Sequence, residues 1–166
     1  MDPNRVVEAV RSGSIQAVSR LLKGRNRAVN RPDDDGVTPL MAAVETGSTE
    51  MVRLLLEAGA DVNARDAEGN TALRTAAAAA SPEVIKLLID AGADPTIPGR
   101  LTLTPLDRLR ERQTPEGRTA LAYVEKVLAA RKAQKKAGTR RAARGGKPAG
   151  RKPRQAGRLS RSARGG

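Results

Sequence analysis

The triplet Thr38-Pro39-Leu40 returns as Thr71-Ala72-Leu73 and again as Thr104-Pro105-Leu106, each time after 33 residues. A fixed period of that length describes stacked copies of one supersecondary unit, not a chain wound around a single central core. Other positions keep the step. Gly36 returns as Gly69, Glu50 as Glu83, Leu54-Leu55 as Leu87-Leu88, and Gly59-Ala60-Asp61 as Gly92-Ala93-Asp94. Chance matches of single residues are common in an Ala-rich chain, but aligned positions of such different chemistry are not.

Each residue type has a physical task. Thr38 and Thr104 suit an N-cap, where the hydroxyl accepts an orphan backbone N–H. Pro39 and Pro105 suit the first helical position, because Pro has no N–H to leave unpaired. Leu40, Ala43 and Val44 then fall on one helical face, and small Ala residues let neighbouring inner helices approach closely. Ser81 is expected to cap the next helix, with Pro82 and Glu83 in its first turn. Gly59 and Gly92 supply the left-handed residue that ends the outer helix, and Asp66 with Gly69 makes the turn into the next unit.

The two full units read Asp33-x-x-Gly36-x-Thr38-Pro39-Leu40-x-Ala42-Ala43 through Gly59-Ala60-Asp61-x-Asn63, and Asp66-x-x-Gly69-x-Thr71-Ala72-Leu73 through Gly92-Ala93-Asp94. This pattern resembles the ankyrin repeat family. The resemblance implies an all-α solenoid of helix-turn-helix units joined by hairpin loops. It covers roughly residues 4–131, with repeats at about 1–32, 33–65, 66–98 and 99–131. The two terminal copies are degenerate. Val10 to Ser14 aligns with Val44 to Ser48 at a step of 34, and Val29-Asn30 with Val62-Asn63 at 33. At the other end, the last helix starts at Thr114-Pro115-Glu116, and about six extra residues are expected in the loop 113–118. The family usually places His after the triplet. Here Met41, Arg74 and Asp107 stand there, so that tie is absent or replaced. Ala80 stands for the Gly between helices of the third unit, and Thr102 for the hairpin Gly of the fourth.

Charge separates the chain into two parts. Residues 131–166 carry 14 of the 31 Lys and Arg residues and none of the 18 Asp and Glu. The remainder is nearly neutral. Arg131 to Ala137 can prolong the last helix. Otherwise 132–166 reads as a disordered basic tail, too poor in apolar residues to offset the entropy of ordering. Its candidate polyanion-binding cations are Lys135, Lys136, Arg140, Arg141, Arg144, Lys147, Arg151, Lys152, Arg154, Arg158, Arg161 and Arg164. Such a segment attracts polyanions with a steep salt dependence. Without an aromatic residue it has no platform on which bases could stack. Nonspecific contact with DNA, RNA or another polyanion is the expectation, beside simple solvation.

An enzyme is not expected. The chain has no His and no Cys, which removes the commonest general base and the best thiol nucleophile. No cofactor or metal is expected either. Asp33-Asp34-Asp35 offers three carboxylates, but Asp33 is the turn residue and the other two are hairpin-tip side chains. No signal sequence or membrane span is visible. The composition points to a cytoplasmic protein of a GC-rich bacterium, with nucleoid association as a variant, and a monomer is expected.

The resemblance also places a binding surface. In such a stack the hairpin tips and the exposed side of the inner helices form a concave face. Positions not needed for the repeat are free to specify a partner protein there. They are Arg11, Asp34, Asp35, Val37, Met41, Glu45, Glu68, Asn70, Arg74, Arg100, Leu101 and Leu103. The middle of this face is acidic. The implied function is a noncatalytic protein-interaction module; the alternative is an adaptor whose tail holds nucleic acid.

Overall fold

The computed structural model describes residues 5–23, 28–79, 81–99 and 102–144; along the last helix, side chains are described as far as Lys136, Lys135 excepted. These residues form helices and turns, with no strand among them. The helices are α1 (Arg5–Arg11), α2 (Ile15–Leu22), α3 (Pro39–Glu45), α4 (Thr49–Glu57), α5 (Ala72–Ala79), α6 (Pro82–Asp90), α7 (Pro105–Glu111) and α8 (Pro115–Arg144), with a 3₁₀ turn at Ala28–Asn30. They alternate between two rows. The inner helices α1, α3, α5 and α7 pack in succession, each on the next, and the outer helix α4 packs on α6. The chain divides into two compact units, residues 1–131 and 132–166.

The caps explain where each helix begins. The Thr38 hydroxyl accepts from the Met41 N–H at 3.3 Å, and Ser14 and Ser48 cap α2 and α4 at 3.3 Å each. At α7 the cap is reciprocal. Thr104 accepts from the Asp107 N–H (3.1 Å), while the Asp107 carboxylate accepts from the Thr104 N–H (3.1 Å) and hydroxyl (2.6 Å). This capping box replaces the absent His tie in the fourth unit. Ser81 departs from expectation. It stands at the N-cap of α6, but its hydroxyl makes no capping bond. Its carbonyl accepts from Ile85 (3.0 Å), and Pro82 removes one orphan donor.

The outer helices α4 and α6 stop in Schellman turns. Ala60 N–H donates to Leu55 and Gly59 N–H to Leu56, both at 3.0 Å; Ala93 and Gly92 repeat this on Leu88 and Ile89 at 2.9 and 3.1 Å. Gly59 and Gly92 take φ of +86° and +100°.

The interior is shared between units. Val7, Val10 and Val18 of the first pair, Leu40, Met51 and Leu55 of the second, Leu73, Ile85 and Leu88 of the third, and Leu109 and Val124 of the fourth are all buried in one core. Ala42, Ala43, Ala76 and Ala77 are completely buried between successive inner helices. The first pair shows how the stack begins. At a step of 34, the buried Ala42 corresponds to the exposed Glu8, and the half-buried Leu54 to the exposed Arg20. Charge at those two positions suits an end that faces water.

The fourth pair departs from the reading in two places. The α7–α8 connection holds residues 112–114, as short as residues 46–48 between α3 and α4. The loop holds no extra residues: α8 begins at Pro115, 33 residues after Pro82 begins α6. Thr114 caps α8, accepting from the Gly117 N–H at 3.1 Å. Helix α8 also continues through Gly138 to Arg144, past Ala137 and into the stretch read as disordered. Ala, Gln, Lys and Arg are strong helix formers, and together they carry the helix across one Gly that costs about 1 kcal/mol. The rest of that expectation falls on 145–166, outside the described residues.

Candidate functional site

The hairpins of the second and third units are each built on an aspartate. Asp33 Oδ1 accepts from the backbone N–H of Asp35 (3.1 Å) and Val37 (2.8 Å). Asp66 Oδ1 does the same for Glu68 (2.9 Å) and Asn70 (2.8 Å). The turn is closed by Gly36 and Gly69 at φ of +79° and +78°. A Cβ on Gly36 would lie 2.7 Å from the Ala67 nitrogen. That nitrogen donates to the Asp35 carbonyl at 3.1 Å, so glycine lets one hairpin lie directly on the next.

Two asparagines lock successive units together. Asn30 accepts from the Asp61 N–H (2.7 Å) and donates to the Gly59 carbonyl (3.3 Å). Asn63 repeats this on Asp94 (2.9 Å) and Gly92 (3.4 Å). Arg65 adds a longer link, donating to the carbonyls of Gly69 (3.0 Å) and Pro98 (2.7 Å). These ties were missed as functional contacts in the sequence, although Asn30 and Asn63 do recur at the repeat step.

The residues proposed for the face differ in their surroundings. Asp34, Asp35, Glu45 and Glu68 are exposed, at the tips of two hairpins and the end of α3. Val37 and Leu103 are half-buried, and Val37 packs against the core. Arg11 is exposed on one side but pairs with the turn carboxylate of Asp33 at 3.1 Å, so the contact holds the first unit to the second. Asn70 and Arg74 are half-buried and turned toward the fourth hairpin. A Cβ on Gly99 would meet Asn70 Oδ1 at 2.6 Å and Arg74 Cδ at 2.7 Å. Asn70 also donates to Asp66 (3.2 Å) and Glu68 (3.3 Å).

Met41 is a correction. It is only 3 % exposed and belongs to the core. In sequence its slot counts among the positions not needed for the repeat and so free to specify a partner. Here α3 is packed between α1 and α5, and every residue from Pro39 to Val44 is buried. Arg100 and Leu101 lie outside the described residues. Among the tail cations, Lys136 is exposed. Lys135, Arg140, Arg141 and Arg144 lie within the helical span of α8, and Lys147 to Arg164 lie outside the described residues.

Two groups have displaced titrations. The Thr104 hydroxyl and N–H, with the positive charge of Arg110, hold the Asp107 carboxyl below its ordinary value. The Asp90 carboxylate accepts the Tyr123 hydroxyl proton, and this bond pushes the Tyr123 phenol above its ordinary value. Tyr123 is half-buried against the core, with Lys86 5.7 Å above its ring. Nearby, Arg131 donates to the carbonyls of Ile89 (2.7 Å) and Ala93 (3.1 Å) and so closes the end of α6.

Among the described residues no three Asp or Glu side chains converge to hold a metal, and Asp33 is committed to its turn. No helix among them is long and apolar enough to cross a membrane.

Comparison with known proteins agrees with this geometry. A family model described as ankyrin repeats, three copies, matches residues 6–98. An ankyrin repeat protein of fowlpox virus (strain NVSL) is 41 % identical over 56 residues, 34 % of this chain and 13 % of that protein. The 26S proteasome non-ATPase regulatory subunit 10 of Dictyostelium discoideum is 43 % identical over 53 residues, 32 % of this chain and 23 % of that one. The chain thus spans less than a quarter of either relative's length. The crystal structure of the ankyrin repeat domain of Bcl-3, a member of the IkappaB family, superposes with a TM-score of 0.63 at 30 % identity, covering 72 % of this chain and 50 % of that one.

Proposed function

Because the chain belongs to the ankyrin repeat family, we propose that it is a noncatalytic protein-interaction module that holds its partner on the hairpin tips and the exposed ends of the inner helices. The fold is one used generally for protein–protein contact, and the partner is assigned here by chemistry alone. The observation that carries the reading is the fate of the acidic residues. Asp33 and Asp66 accept backbone N–H groups inside their turns, whereas Asp34, Asp35 and Glu45 stand exposed at a hairpin tip and the end of α3, and the exposed Glu68 at the next tip accepts from Asn70. Carboxylates placed this way suit a partner surface rich in Lys and Arg. They act on encounter rate and specificity more than on raw affinity.

The test compares proteins recovered from cell extract by the wild type and by the double variant Asp35→Arg, Glu45→Arg. The reading expects loss of a specific protein from the variant. Equal recovery of the same proteins would place the binding surface elsewhere.

A second reading rests on the tail, with 14 basic residues and no acidic one from residue 131 onward. In it the chain is an adaptor, and the tail holds a polyanion while the stack recruits a protein. Its setting is cytoplasmic, with nucleoid association. A salt series on duplex DNA tests it. The affinity of the full chain should fall with a slope of about −0.9 per phosphate neutralised. Residues 1–131 alone should not bind. Weak, salt-insensitive binding of the full chain would leave only the interaction module.

A further inference from the structure

Helix α8 runs on to Arg144, and past Arg131 its composition changes. Residues 132–144 hold Lys132, Lys135, Lys136, Arg140, Arg141 and Arg144, and no Asp or Glu. Every other residue of this stretch is Ala, Gly, Thr or Gln. By helical register, Lys132, Lys136, Arg140 and Arg144 form a ladder at four-residue steps, and Lys135 and Arg141 fall on either side of it. Lys132 and Lys136 are exposed.

Like charges four residues apart on a helix repel. The negative end of the helix dipole offsets this in part for the last turn; a dense line of anions would offset it for the whole ladder. The chemistry of the segment selects among anions. It has no large apolar residue to enter a lipid headgroup region. It has no aromatic ring on which a single strand could stack, and none to anchor a protein interface. As a helix the segment is about 20 Å long. Duplex DNA presents about six phosphates on each strand over that length, and its major groove admits an α-helix between two lines of phosphate. The deep, narrow major groove of duplex RNA does not.

We propose that residues 132–144 are a DNA-binding helix, its cation ladder and two flanking cations set against the phosphates that line the major groove of a duplex. This rests on the adaptor reading. It specifies that reading's polyanion as duplex DNA and assigns the contact to the helical part of the tail. With only small side chains between the cations, the helix reads backbone and groove shape, not base sequence. The cations beyond Arg144 contribute less per charge.

Binding of the full chain to a mixed-sequence DNA duplex of about 20 base pairs, across a salt series, tests this. Lys132→Gln, Lys136→Gln, Arg140→Gln and Arg144→Gln together should weaken binding at least about tenfold and lower the salt slope by about three. Arg151→Gln, Arg154→Gln, Arg158→Gln and Arg161→Gln remove the same charge and should change affinity less than about threefold. Ala137→Pro keeps every cation and breaks the helix, a loss read by circular dichroism, and should cost at least about fivefold in affinity. Equal losses from the two fourfold variants, unchanged binding by Ala137→Pro, or equal binding to duplex RNA or to phosphatidylserine vesicles would overturn the helix assignment and leave the adaptor reading standing. Failure of the wild-type chain to bind the duplex at low salt would remove both.

Discussion

Single residues in this chain take two kinds of work, and neighbouring side chains can differ completely. Asp33 is nearly buried, accepting two backbone N–H groups and the Arg11 guanidinium, while Asp34 beside it is exposed. Asp33→Ala should cost about 1–2 kcal/mol in urea unfolding, since it removes the acceptor of two turn N–H groups, the Val37 one half-buried, and of the Arg11 guanidinium. Asp34→Ala should cost less than about 0.5 kcal/mol. Thr102 takes φ of +61°. Thr102→Gly should raise stability by about 0.5–1 kcal/mol, the strain relieved being offset in part by the greater freedom of Gly in the unfolded chain. Asp107 has a sign that can be worked out. Its folded pKa lies below the unfolded one. The stability it contributes is therefore present above the unfolded value and is lost as pH falls through the folded one. A thermal series between about pH 5 and pH 2 should show the wild type losing more stability than Asp107→Ala. Parallel curves would show that the capping box adds nothing to folding.

Helices are where the sequence was most legible, and the reasons are local. Thr38, Thr104 and Thr114 mark starts because a hydroxyl before a proline or a short apolar run has few other uses. Gly59 and Gly92 mark stops because only glycine takes the left-handed turn without strain. The last helix was less legible for the same cause. Loss of the glycine seen at Gly47, here Gln113, looks like an insertion in sequence but is a change of loop shape. Within the candidate face, exposure of Asp34, Asp35, Glu45 and Glu68 followed from their place at hairpin tips and the helix end. Burial of Met41 did not, because it depends on α1 and α5 closing over α3 from both sides. Leu55→Ala and Leu88→Ala occupy equivalent, fully buried places on α4 and α6. Each should cost about 2–5 kcal/mol by denaturant unfolding. A difference much larger than that range between them would mean that the two units are not structurally equivalent.

At the level of the whole molecule, stacking produces the face proposed to bind a partner. No single unit buries its own inner helix, and the hairpin contacts run from one unit to the next through Asn30, Asn63, Arg65 and the Ala67–Asp35 backbone bond. The backbone bond between Ala67 and Asp35 holds the two acidic hairpin tips next to each other. The outer helices also carry acids, among them Glu50 and Glu57, so total charge alone cannot distinguish the two sides. The decisive measurement is a titration of a protein recovered by the wild type against three forms of the chain: wild type, Asp35→Arg with Glu45→Arg, and Glu50→Arg with Glu57→Arg. Both variants change net charge equally. The account predicts that the first variant loses at least about tenfold in affinity and the second stays within about twofold of wild type. Equal losses, or a loss confined to the outer-helix variant, would contradict it.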